Sequence, residues 1–399
     1  MMSEQHVFRA DVKQWIAENF PRTLAGQNPA TVGYAATLEA DHELWRQRLA
    51  EKGWGAPTWP KEYGGAGLSQ SEERIITDEL SDANAFNPIP NIALMGVTMV
   101  GPTILDYGTE EQKKKHLIPI ARGEVTWCLG LSEPGAGSDL ASLRTRAEDN
   151  GDYYLINGSK IWTSGAHHSN WCGAVVRTDP DAKKRNGISF VMLPMDQEGV
   201  EPRPLKLISG ASAFCETFFT DAVADKSDVL GDLNDGWSVV KRLLQHERQS
   251  QIGARTAGAK SERVQDIAKR YVGLDDSGKL ADADLRQRLA DHLMDRQSHA
   301  LTLGRIAAEA KGNVEVSAAS SILKNSATHV SQTRADLILE IMGDQGLGWE
   351  GDAFDPNELE TVRSWLYGMA ASIAGGSFEI QYNIISKNIL GLPETTQQG

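Results

Sequence analysis

The order of hydrophobic periodicities predicts a multi-domain α+β fold, with a helical N-terminal domain, a β-rich middle domain and a helical C-terminal domain. Three observations carry this. Across residues 7–125 apolar side chains recur one helical turn apart, as in Trp45 with Leu49 and Ile76 with Leu80, with charges between them. Between 126 and 229 the texture changes to short β-prone runs at 153–155, 171–177 and 188–193, separated by Gly, Asn and Asp. From 235 onward the helical period returns, through 237–271, 281–313, 317–343 and 358–373. The expected domains are therefore 1–125, 126–234 and 235–399, the last ending in a polar tail at 394–399.

The chain has 399 residues, of which 40% are hydrophobic and 24% charged, enough for several packed layers. A formal net charge of -14 excludes a general nucleic-acid or anionic-membrane surface, because both require a basic field to neutralise phosphate. Cys128, Cys172 and Cys215 are too few and too scattered for a disulfide framework or a four-ligand zinc site. No metal is expected, and a reducing cytoplasmic setting fits. The N-terminus shows no basic segment followed by an apolar one, and no run of about 18 apolar residues occurs, so neither export nor membrane spanning is expected.

Two segments carry chemistry. The first is Leu129-Gly-Leu-Ser-Glu-Pro-Gly-Ala-Gly-Ser-Asp139, whose glycines permit close backbone approach to a ligand and whose Ser132 and Ser138 add hydroxyls. Its spacing is neither the Walker nor the dinucleotide fingerprint, so a plain structural turn is the alternative. The second is Asn157-Gly-Ser-Lys-Ile-Trp-Thr-Ser-Gly165, in which Asn157-Gly158 reads as a tight hairpin turn delivering Trp162 and Ser164 on the next strand. A Trp beside hydroxyls suits a flat aromatic ring system, and equally a β-core position.

Together these segments resemble the acyl-CoA dehydrogenase family. The resemblance extends over nearly the whole chain, with Lys52-Gly-Trp, Trp59-Pro-Lys-Glu-Tyr-Gly-Gly, Tyr107-Gly-Thr-Glu-Glu-Gln-Lys and Ala374-Gly-Gly-Ser among the matching stretches. It implies a middle β-barrel, a C-terminal four-helix bundle, and FAD between them. By the same resemblance Ser132 and the backbone of Leu131 meet the pyrimidine side of the flavin, Ser164 its N5 edge, and Trp162 the ring face. Ser138 falls near phosphate or the thioester, and Ser377 is a further flavin contact. Hydrogen bonds at such edges tune how readily the ring accepts hydride. The implied reaction is α,β-dehydrogenation of an acyl-CoA to the trans-2-enoyl-CoA, as in β-oxidation, with an electron-transfer flavoprotein as acceptor.

That reaction needs a carboxylate to remove the α-proton. The family's usual base position falls on Gly375, which cannot accept a proton, although its backbone N–H can stabilise the thioester carbonyl. A minority of the family carries the base on the first long C-terminal helix, before an arginine, and Gln245-His-Glu-Arg248 stands there. Periodicity agrees: Trp237, Val240, Leu244, Glu247 and Ala254 share one helix face, so Glu247 interrupts an apolar stripe. Desolvation of such a Glu raises its pKa toward that of a working base. Arg248 either anchors the CoA side or pairs with a bundle carboxylate. His246 lies about 100° around the helix and reads as structural.

The family completes each flavin site with two segments of a neighbouring subunit. Here the first reads Lys269-Arg-Tyr-Val-Gly-Leu-Asp-Asp276, without the usual Phe, and the second Glu340-Ile-Met-Gly-Asp-Gln-Gly346, with carboxylates where an amide and a glycine are usual. This resembles the two-gene members linked to steroid or other bulky acyl-CoA substrates, which assemble as α2β2 tetramers with half the usual flavin. A homotetramer, an acyl-CoA oxidase-like enzyme and a flavin-poor partner subunit are the alternatives.

Overall fold

The computed structural model describes residues 4–27, 39–254, 262–310 and 317–393; the side chains of 248–254, 307–310 and 317–320 lie outside that description. Contacts divide the chain into two compact units, Met1–Leu205 with Ser212–Ala259, and Lys206–Ala211 with Lys260–Gly399.

The first unit begins with α1 (Glu4–Asn19), α2 (Ala40–Glu51) and α3 (Gln70–Asp82). Their apolar stripes close a core of Val12, Ile16, Trp45, Leu49, Ile76 and Leu80, each side chain contributing about 1.5–3 kcal/mol by leaving water. The Trp45 indole N–H donates to the Phe86 carbonyl at 2.6 Å, so its polar edge is satisfied inside that core. Ser69 caps α3 in a reciprocal box with Glu72. Then follow α4 (Ile89–Ile92), α5 (Gly101–Tyr107) and α6 (Glu110–Ala121), the last capped by Thr109 with Gln112.

Eight strands come next: β1 (Trp127–Gly130), β2 (Arg146–Asp149), β3 (Tyr153–Ser164), β4 (Trp171–Arg177), β5 (Ile188–Pro194), β6 (Val200–Leu205), β7 (Phe214–Asp225) and β8 (Val229–Leu230). Their order is β6-β7-β3-β2-β4-β5-β8, with β1 added parallel to β4. Both faces of β5 are covered. Ile188, Phe190 and Met192 join Ile104, Leu117 and Val240 on one side, while Val191 and Leu193 join Ile156, Cys215 and Phe219 on the other. The expected barrel is corrected to an open sheet: among the described residues β6 and β8 end the path and share no ladder. Pro202 and Pro204 of β6 lack N–H donors, as befits an edge, and β8 is only two residues long.

The helix α7 (Gly236–Ala254) closes this unit, burying Val239, Val240 and Leu243. The second unit holds α8 (Val264–Tyr271), α9 (Ala283–Ala310), α10 (Ser317–Met342), α11 (Pro356–Gly368) and α12 (Phe378–Asn388). Helix α10 is its centre, packed by the other four. Val264, Ile267, Leu285, Leu289, Ile338 and Ile341 form its core. No described helix is long and apolar enough to cross a membrane.

Candidate active site

Strand β1 ends at Gly130, where a Cβ would stand 3.1 Å from the Lys160 stem and 3.3 Å from Cys172 Sγ, so a side chain there would require those neighbours to give by a few tenths of an ångström. Leu131 and Ser132 follow, half-buried, and Glu133 folds back onto Ala136 through a pair of 3.0 Å backbone bonds. Space is open around Gly135 and Gly137, and Ser138 is exposed. The loop therefore presents backbone rather than side chains at its tip.

Strand β3 runs unbroken through Asn157-Gly158, so the expected hairpin turn is corrected to a mid-strand irregularity. Gly158 has φ +146, and the two Asn157 amide atoms bond Asp221 of β7 at 2.9 Å each, fixing an extra residue there. The turn that enters β3 lies instead at Asn150-Gly151, with Gly151 at φ +81. A second bulge falls between Lys160 and Thr163. It frees the Ile161 N–H, which donates to the Ser132 carbonyl at 2.8 Å and joins the two motifs. It also sets Trp162 at φ +62 with its indole 55% exposed, an uncommon backbone for so bulky a residue. Ser164 is half-buried at the strand end. Among the described residues neither Ser132 Oγ nor Ser164 Oγ meets a hydrogen-bond partner within the chain.

Sequence reasoning passed over the pair that holds these motifs together. Lys160 is fully buried, and its ammonium donates to Glu133 Oε1 at 2.8 Å and to the Leu131 carbonyl at 3.2 Å. The Glu133 carboxylate also accepts from the Arg144 and Thr145 N–H groups at 2.7 and 2.8 Å. Burial alone would raise its pKa, but the Lys160 charge and these bonds hold it below the usual value. The available signal was phase: Lys160 falls on the same buried side of β3 as Tyr154 and Ile156.

On α7, Glu247 is half-buried one turn beyond Leu243. The preceding turn is tied to α5: Asp106 Oδ2 accepts from Arg242 Nε at 2.6 Å and lies 2.8 Å from His246 Nε2. Burial opposes the ionised form of Asp106, yet these two partners lower its pKa. The Arg248 side chain lies outside the described residues.

In the second unit Gly375 and Gly376 take φ +68 and +95, leaving Gly375 exposed. The Gly375 carbonyl accepts from Gln381 Nε2 at 3.0 Å. Ser377 caps α12 by accepting from the Ile380 N–H at 3.4 Å, and Glu379 is exposed. Glu340 is paired with both terminal nitrogens of Arg288. No group of side chains suited to a metal ion occurs among the described residues.

A glycine-rich loop that presents its backbone, an exposed Trp on a bulge and a carboxylate-bearing helix suggest a class, and comparison with known proteins places the chain in it. Residues 2–124, 128–222 and 234–390 match the N-terminal, middle and C-terminal domains of acyl-CoA dehydrogenase. The protein from Mycolicibacterium smegmatis named acyl-CoA dehydrogenase IpdE1 is 36% identical, over 98% of this chain and 99% of its own. Two solved structures are similar: the Tcur3481-Tcur3483 steroid ACAD, at 29% identity, TM-score 0.76 and 99% of each chain, and the ChsE4-ChsE5 complex from Mycobacterium tuberculosis, at 27% identity, TM-score 0.73 and 99% of each chain. The chain belongs to the acyl-CoA dehydrogenase family and is a flavin-dependent oxidoreductase of that family.

Proposed function

We propose that this enzyme dehydrogenates an acyl-CoA thioester to the trans-2-enoyl-CoA with FAD, Glu247 removing the α-proton. The observation that carries it is the carboxylate of Glu247, half-buried at the end of the α7 apolar face, together with Gly375 where the usual base would stand. The flavin site fits its cofactor: the unpartnered hydroxyls of Ser132 and Ser164 match edge acceptors, Trp162 offers a ring face, and the open glycines leave room for backbone contact. When bound, the flavin supplies the acceptor for the β-hydride. Ser132 with Leu131, Ser138, Ser164 and Ser377 hold and orient it, and Trp162 shields its face. Gly375 offers its N–H to the thioester oxygen, and Arg248 anchors the CoA. Glu247 takes the proton, most effectively when its carboxylate is poorly solvated.

The domains are proposed at 1–125, 126–234 and 235–399. The partner reading is an α2β2 tetramer in the cytoplasm, passing electrons to an electron-transfer flavoprotein and acting on steroid or other bulky acyl thioesters. Two similar structures are named as two-protein assemblies, and one as a steroid enzyme. Glu340, bound to Arg288, supplies acceptors only, where an amide donor is usual. Glu247→Gln is expected to retain FAD yet lose bleaching by substrate, with turnover down about 10²–10⁴-fold; bleaching at the wild-type rate would refute the assignment.

A further inference from the structure

Lys160 does more than fill the floor of β3. Its ammonium is bound to the carbonyl of the same peptide whose N–H belongs to Ser132. No cis peptide occurs among the described residues, so that C=O and N–H point in opposite directions. A cation on the carbonyl side therefore leaves the N–H aimed away from Lys160, and it donates to nothing within the chain among the described residues. Charge on one end of a peptide strengthens the hydrogen bond made at the other, more so in a site of low dielectric. Glu133 accepts from the same ammonium, and from two backbone N–H groups in addition, and so moderates the field.

We propose that the buried Lys160 acts as a positioning residue, polarising the Leu131–Ser132 peptide so that the Ser132 N–H stabilises the electron-rich pyrimidine edge of the reduced flavin, with Glu133 limiting the effect. The proposal rests on the flavin placement given above. It predicts that the two members of one ion pair move the potential in opposite directions, which loosening of the fold would not do.

The test is a reduction-potential titration of the flavin-loaded enzyme without substrate. Lys160→Met should make two-electron reduction about tenfold less favourable, about 30 mV lower. Glu133→Gln, which leaves the cation uncompensated, should raise the potential. Lys160→Arg, which keeps the charge, should stay nearer wild type than Lys160→Met. Shifts of the same sign in Lys160→Met and Glu133→Gln, or none in either, overturn the proposal. If Lys160→Met does not fold, Glu133→Gln decides alone, and a potential at or below wild type overturns it. Ser132→Ala separates the two ideas. If it moves the potential while the Lys160 and Glu133 variants do not, the polarisation fails by itself; if none of them moves it, the flavin placement fails. Neither result depends on Glu247.

Discussion

At Gly158 the backbone sits at φ +146, and a Cβ would stand 2.6 Å from Thr145 Oγ1 and 2.7 Å from Thr145 Cα. The obstructing atoms include backbone, which cannot swing aside. Alanine there pays about 1–3 kcal/mol of conformational strain and a similar overpacking cost of about 1–3 kcal/mol. Gly151, at φ +81 with nothing within 4 Å, would pay only the first. Gly158→Ala should therefore melt at a clearly lower temperature than Gly151→Ala, and equal losses would show that the Thr145 contact is unimportant. The same residue shows where a single sequence misleads. Asn-Gly is the strongest short-range hairpin signal, and its use inside a strand depends on Asp221 and Thr145, 64 and 13 positions away from Asn157 and Gly158. Trp162 and Ser164 were legible as site candidates, but the bulge that exposes Trp162 was not.

Between elements, the junction of α6 with β7 and β8 turns on the buried carboxylate of Asp228. Asp228 lies 3.3 Å from His116 Nε2 and accepts from Lys115 Nζ at 2.7 Å, while Gln112 Nε2 donates to the Ser227 and Val229 carbonyls at 2.7 and 2.8 Å. The His116 ring meets Trp127 and Trp171 edge-on, at 5.2 and 4.7 Å, and those two rings stack on each other 5.6 Å apart. Burial pushes the Asp228 pKa up, but His116 and Lys115 outweigh it and hold it below 3.8. A depressed folded pKa stabilises above the unfolded value, and that stabilisation is lost as pH falls through the folded one. Asp228→Asn should thus lose stability at neutral pH, by about 1–3 kcal/mol, because Lys115 and the buried His116 lose their carboxylate acceptor. The gap to wild type should narrow as the pH drops below about 4. Thermal melts from pH 7 to 3 check this, and a gap that stays constant would contradict it. Helix existence, the caps at Ser69 and Thr109, and the face of α7 could be read from local pattern. The partners of Asp228, Asp106 and Glu340 could not, since each lies more than 50 residues away from its main partner.

For the whole molecule, the succession of helical, β and helical segments was legible because periodicity is local, whereas the openness of the sheet depends on which strands end as edges. Assembly is the remaining question. The second unit leaves Met294, Leu301, Leu347, Ile373, Tyr382 and Leu390 more than half exposed, a large apolar display on one helical unit. Such surface favours a partner, and the divergent segments at 269–276 and 340–346 favour a different chain over a second copy. The pairing of Glu340 with Arg288 refines the argument. The carboxylate is neutralised at home, so a neighbouring flavin is less repelled than an isolated acid would make it, yet Glu340 itself supplies only acceptors where an amide is usual. Flavin bound by the chain alone would then be held at its pyrimidine end and weakly at its adenosine end. Purified by itself, the chain should carry clearly less than one flavin per protomer and lose it on dilution. Co-expressed with a homologous subunit that supplies the missing segments, it should retain one flavin for every two chains in an α2β2 tetramer. Absorbance at the flavin band against protein concentration, with mass from light scattering, reads both quantities. A homotetramer with every site filled would show that other residues of this chain hold the adenosine end, and the two-chain reading would fall.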